Sequence, residues 1–197
     1  MTDLKSHFDS VLNELEDVAG WKTARIRKPV LIPGSLDGVE TGIRQLIRSE
    51  PLETKVVVVN GEKSTLPTEE EILRIKSALI LKRNATRDFL DFAALSDFLG
   101  TERSLFALQR FDELYPQNNG NSPLQQLTLQ LASPKPSDFD DDEIREYKYL
   151  SEKWADWENV RRQCCNLSMS IMDTMQEENS TFDEARHCEP QRTRFLG

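Results

Sequence analysis

Between Leu73 and Asp91 the chain concentrates the residues best able to do ionic chemistry: Arg74, Lys76, Lys82, Arg83 and Arg87, with Asp88 and Asp91 beside them. Five basic residues against two acidic ones make a positive segment in a chain of formal net charge −9. At 3.6 residues per turn, Lys76 and Arg83 fall within about 20° of each other and share a helix face. If the chain only kinks at Asn84, Arg87 and Asp91 join that face as an i, i+4 pair. Cations gathered beside a carboxylate suit phosphoryl or nucleotidyl transfer, where they neutralise charge building on phosphate oxygens. The same letters also fit a solvated helix flank with a capping ion pair worth under about 1 kcal/mol.

No other group of residues competes. His7 falls on an expected helix and His187 in a polar tail, neither with a triad or metal partner nearby in sequence. Cys164 and Cys165 are adjacent and Cys188 lies in the tail, so there is no C-x-x-C pair, disulfide framework or zinc spacing. Trp154 and Trp157, at i, i+3, read as a helix-packing seam rather than a base-stacking platform. Gly34 and Gly38 read as turn residues, since no G-x-G-x-x-G or P-loop surrounds them.

The elements that must hold the charged segment follow from periodicity. Leu4, Phe8, Val11, Leu12, Leu15 and Val18 recur at helical spacing, with Gly20 as a stop. Trp21 to Ile32 suits a strand with a solvated basic face; Pro33 to Gly38 punctuates it, and Val39 to Ile47 leans toward a second strand. Lys55 to Val59, Asn60-Gly61 and Glu62 to Leu66 spell a hairpin closed by a type I′ turn. Thr68 and three glutamates open a helix reaching about Arg83; Asn84 breaks it, and Thr86 caps a second from Arg87 to Leu99, closed by Gly100. Thr101 to Tyr115 reads as one helix and Ser122 to Ala132 as another. After a Pro-rich link, 133–136, a long helix is expected from about Asp140 to Met175, then a polar, frayed tail.

Strands first and helices after predict an α+β chain: a small sheet followed by a helical C-terminal half, divided 1–66, 67–176 and a disordered tail 177–197. A chain of 197 residues with 38% hydrophobic residues can build its own core. No apolar run approaches the ~20 residues that span a bilayer, and Met1 opens an amphipathic rather than a secretory start. Three cysteines without a framework point to a reducing compartment, so the expectation is a cytoplasmic protein that does not engage membranes.

The string from Leu73 to Gly100, with Lys76, Arg83, Arg87-Asp88 and Asp91 followed by Phe92, Ala93, Ala94 and Leu95, resembles the motif closing the nucleotidyltransferase domain of the AbiEii/AbiGii toxin family, within the DNA-polymerase-β-like fold. Gly34 to Leu46, and Asp138 to Cys164 with Tyr147-Lys148, Trp154 and Trp157, extend the resemblance over roughly Phe8 to Leu167. It implies catalytic roles for Lys76, Asp88 and Asp91 and nucleotide-phosphate contacts for Lys76, Arg83 and Arg87. It also implies Mg²⁺ and an NTP as cofactors, an RNA (tRNA) or protein acceptor, and an antitoxin protein as partner in a toxin–antitoxin system of phage defence by abortive infection.

The family's Gly-Ser turn and Asp-x-Asp strand are missing: Asp37 and Glu40 follow Gly34-Ser35 too closely and fall on opposite strand faces, and Asp140-x-Asp142 opens a helix. The metal ligands are therefore unknown and the expected activity weak or absent. The alternatives are a non-catalytic interaction module, or remnant of such a system, whose helical half binds a partner protein through its tryptophan seam and acidic surface while the sheet is a retained scaffold, and a small-nucleotide binder without turnover. The incomplete sheet is separately expected to leave an unpaired edge that a partner covers.

Overall fold

The computed structural model describes residues 4–45, 48, 50–140, 144, 147 and 150–187, and it is α+β. Two compact units divide it, Met1–Pro51 and Leu52–Gly197.

In the first unit, α1 (Leu4–Glu16) lays Leu4 and Phe8 on Ile32 of a three-stranded antiparallel sheet, with Val11, Leu12, Leu15, Trp21 and Ile26 packed around them. The strands are β1 (Trp21–Thr23), β2 (Leu31–Leu36) and β3 (Val39–Arg44), in the order β1-β2-β3. The expected strand from Trp21 to Ile32 is thus cut short at Thr23. The expected punctuation at Pro33 to Leu36 is instead the central strand, with Pro33 paired to Gly42 and Gly34 to Thr41. Packing overrides the turn-like letters here. The Pro33 carbonyl accepts from Ala24 N–H at 2.9 Å, and the bare Gly34 makes room for an indole, since a Cβ there would lie 2.5 Å from Trp21 Cζ2.

The second unit opens with the hairpin β4 (Thr54–Val59) and β5 (Glu62–Pro67), in register from Thr54↔Pro67 to Val59↔Glu62. Asn60 and Gly61 both take positive φ, 53° and 84°, as a two-residue type I′ loop requires. Helix α2 (Glu69–Arg83) follows, capped by Thr68, whose hydroxyl accepts from Glu71 N–H at 3.2 Å, and ends at Asn84 in the left-handed region. Then come α3 (Thr86–Leu99), α4 (Thr101–Leu108), α5 (Phe111–Leu114), α6 (Pro123–Ala132) and α7 (Trp157–His187).

Three expectations in this half need correction. The helix expected over Thr101 to Tyr115 is two, because the chain breaks at Gln109-Arg110 to turn Phe111 and Leu114 into the core. The long helix starts at Trp157 rather than Asp140: 151–156 are not helical, and residues 141–143, 145, 146, 148 and 149 lie outside the described residues. The tail expected to fray from residue 177 is helical to His187, and 188–197 are not among those described.

The core of this unit gathers Leu73 and Ile80 of α2, Phe89 and Phe92 of α3, Leu127 and Leu131 of α6, and Val160, Cys164 and Leu167 of α7. Phe89 meets Trp157 edge to face, 6.3 Å between centroids, and Trp154 is buried in the same cluster, so both tryptophans serve packing. Polar ties fix the helices in azimuth. Ser168 Oγ donates to the Thr128 carbonyl at 2.9 Å, joining α7 to α6, and Gln163 Nε2 donates to Ser96 Oγ at 3.1 Å, joining α7 to α3.

Candidate functional site

The charged residues singled out in the sequence meet at the corner where α2 hands over to α3. Lys76 and Arg83 do share a face of α2, and both reach the first turn of α3. Arg83 grips Asp88 with two nitrogens, Nη2 to Oδ1 at 2.7 Å and Nε to Oδ2, and Lys76 Nζ stands 3.9 Å from the same carboxylate. Lys76 Nζ donates to Asp91 Oδ2 at 2.5 Å, and Arg87 Nε lies 3.9 Å from that oxygen. Asp88 is fully buried, while Arg87 extends into solvent. The hydrogen bond to Asp88 raises the pKa of Arg83 above the ordinary arginine value.

The link after α6 completes the corner. Asp138 Oδ1 accepts from Thr86 N–H at 2.7 Å and Thr86 Oγ1 at 2.9 Å; Ser137 N–H donates to the Asn84 carbonyl at 2.8 Å; and Asn84 Nδ2 donates to the Lys135 carbonyl at 2.7 Å. The first N–H of α3, that of Thr86, is thus met by a carboxylate 52 residues downstream, and the Thr86 side chain expected as the cap bonds that carboxylate instead of the helix. The Thr86 N–H bond, followed by the hydroxyl bond, holds Asp138 below the usual carboxylate range.

Lys76 and Arg87 therefore converge, but on Asp91. The cations of the corner already face carboxylates at salt-bridge distance, so a phosphate must displace one and bear the cost of breaking a partly buried pair. The arrangement locks two helices and a link together.

A second charged group, whose cation Arg74 the sequence counted with the others but whose partners it did not identify, is more deeply set. Arg74 is 3% exposed; its Nε donates to the Ala107 carbonyl at 2.6 Å, and its Nη1 reaches Glu71 at 3.0 Å and Glu53 at 2.9 Å. Glu53 N–H donates to Glu71 Oε2 at 3.2 Å, so one guanidinium ties the hairpin, α2 and the end of α4. Its signal in the sequence is Glu71 at i−3, a spacing that lets the two side chains pair on one helix face. Lys55 of β4 also pairs with Glu69, and this bond is the main cause holding the Glu69 carboxyl below its ordinary pKa.

Among the described residues no group of three histidines, cysteines or acids could hold a metal ion. An uncharged concavity lies between α6 and α7. A hollow of about 300 Å³ is bounded by Gln125, Thr128, Leu129, Met172, Met175 and Gln176. A smaller one of about 50 Å³ adjoins it at Met175, between Leu105, Leu108, Leu124 and Ile171. Leu129 is 72% exposed at its rim. Hydrocarbon and thioether walls with amide edges accept an apolar ligand and present no cation to an anion.

Comparison with known proteins overturns the nucleotidyltransferase resemblance. The chain is 34% identical over 129 residues to the heme uptake protein MmpL11 of Mycobacterium tuberculosis and 33% identical over 131 residues to the mycolic acid-containing lipids exporter MmpL11 of Mycolicibacterium smegmatis. A probable transport protein MmpL11 of Mycobacterium leprae is 28% identical over 132 residues. Each match takes in 64% of this chain and 12–13% of the relative, so the chain matches about an eighth of the length of these curated proteins. Neither a protein-family model nor a solved structure matches.

Transfer of a nucleotide, the AbiEii toxin and toxin–antitoxin assignment, and the NTP, RNA and antitoxin partners are thereby corrected: the relatives are transport proteins. The interaction module or remnant of a toxin system, held as the alternative, has no support either. The likeness that suggested them rested on basic and acidic letters around a helix corner, which the folded chain uses as ion pairs. With it goes the ground on which Mg²⁺ and NTP were expected. Among the described residues no helix is long and apolar enough to cross a membrane.

Proposed function

We propose that this chain forms an extramembrane domain working with a transport apparatus of the MmpL11 kind, and that the hollow between α6 and α7 receives the hydrocarbon part of its cargo. The 34% identity to MmpL11 over 129 residues carries the reading. The relatives' names give two cargo classes, heme and mycolic acid-containing lipids. The chemistry of the hollow favours the second. Leu129, Met172 and Met175 supply apolar wall, and its lining holds neither an imidazole for iron nor a cation for propionates. We place the domain on the cytoplasmic side, where Cys164 and Cys165, both free, stay reduced.

The test is titration of the full chain with a fluorescent fatty acid and, separately, with hemin. Saturable binding of the fatty acid, weakened at least tenfold by Leu129→Glu or Met172→Glu, is expected, with no shift of the hemin Soret band. Absence of saturable fatty-acid binding, or binding indifferent to both substitutions, refutes the assignment of the hollow. A Soret shift that Met172→Glu abolishes moves the cargo to heme.

A further inference from the structure

The hairpin β4–β5 has two outer edges, and they are not alike. Its two-residue loop makes Val59 and Glu62 the closing hydrogen-bonded pair, so Lys55, Val57 and Val59 spend their backbone groups on β5. The bond from Thr68 N–H to the Glu53 carbonyl, 3.0 Å, continues that alternation. Thr54, Val56 and Val58 then aim N–H and C=O outward from β4, as Lys63, Thr65 and Pro67 do from β5. The β5 edge carries a lysine and a proline, the residues that blunt a strand edge against pairing. The β4 edge carries a threonine and two valines, good strand formers, and Val56 and Val58 are 64% and 66% exposed. Among the described residues no third strand joins this sheet.

We propose that a second copy of this chain pairs antiparallel along β4, making a four-stranded sheet across a two-fold axis at Val56. The strand is self-complementary in that register. An edge is satisfied only when outward-facing residues stand opposite outward-facing residues, which limits the choice to alternate registers. Centring on Val56 sets Thr54 opposite Val58 of the second copy at both ends, forming about six backbone bonds. It also places Lys55 opposite Val57. Sliding one step toward the start of β4 puts Lys55 against Lys55 of the second copy, an unfavourable like-charge pair. Sliding the other way spends Thr54 on the turn residue Asn60. Two strands alone are marginal and four are not, so each hairpin gains from the other. Six residues a side fall well short of the roughly 800 Å² per partner of a standard interface, so the affinity belongs in the micromolar range. The dimer stands independently of the transport reading.

Sedimentation equilibrium of the full chain across the micromolar range tests it, with amide exchange at low and high concentration. The expected result is reversible dimerisation, with the Thr54, Val56 and Val58 amides slowing more steeply as concentration rises than those of Lys55, Val57 and Val59. Val56→Lys and Val56→Glu should each be monomeric, and an equimolar mixture should recover the dimer through opposite charges at the axis. A parent monomeric throughout overturns the proposal, as does a dimer that both variants retain or one whose β4 amides ignore concentration. If a variant disturbs the hairpin, seen as faster exchange of the inward amides, the concentration series on the parent decides alone.

Discussion

Replacing Asp88 by asparagine keeps the shape of the side chain and removes its charge at a fully buried position. The carboxylate holds Arg83 through two nitrogens and faces Lys76 at 3.9 Å, so the change strands charge on α2. Breaking a fully buried pair costs about 3–5 kcal/mol. Here the Arg83 side chain is 46% exposed and can rehydrate, and Lys76 keeps Asp91 at 2.5 Å. Solvent screening therefore trims the expected loss to about 2 kcal/mol. Asp88 also sits in the first turn of α3, where a negative charge adds about 0.3–1 kcal/mol against the helix dipole. We expect Asp88→Asn to lower stability by about 2–3 kcal/mol in total.

Urea unfolding is the assay, followed by Trp154 and Trp157 in a Trp21→Phe background so that only the second unit reports. The midpoint should fall at constant m. A double-mutant cycle with Arg83→Ala should return a coupling of about 1–2 kcal/mol. A loss under about 0.5 kcal/mol, or a coupling indistinguishable from zero, would show that water already screens the corner and that it locks nothing.

Asp138 titrates below its ordinary value in the folded chain. Its contribution is therefore complete above the unfolded pKa and disappears as pH falls through the lower folded one. Stability measured from pH 6 down to pH 3 should drop less steeply in Asp138→Asn than in the parent, and parallel curves would contradict the cap. Gly34→Ala drives a methyl into the Trp21 ring and the Lys22 carbonyl, 2.5 and 2.7 Å away, and should destabilise the first unit by about 1–3 kcal/mol, read from Trp21 fluorescence on heating. Unchanged melting would mean the indole has room to move. Burial pushes the Cys164 thiol up, whereas Cys165 is partly exposed, so peptide mapping after brief treatment with an alkylating reagent should find Cys165 modified well before Cys164. Equal labelling would place Cys164 outside the core.

Local chemistry was enough to read the α+β class, the β4–β5 hairpin, the span of α2 and the end of α3. A valine run beside Asn-Gly, a threonine before three glutamates, an Asn and a Gly after apolar periodicity are all signals whose cause lies within a few residues. Composition alone could not say that the cations at the α2–α3 corner are held in ion pairs once folded. The carboxylates answering Lys76 and Arg83 arrive from the next helix, and the cap of α3 from a link 52 residues away. Nor could it place Gly34 in a strand, since the reason is an indole packed over it. The buried Arg74 is a middle case: its partner at i−3 was visible, but the Ala107 carbonyl that accepts from it belongs to another helix. Sequence settles what each segment prefers by itself, because hydrogen bonds and apolar period act over one turn. Which charges meet, and which apolar wall stays open between α6 and α7, depends on distances that exist only after the helices pack.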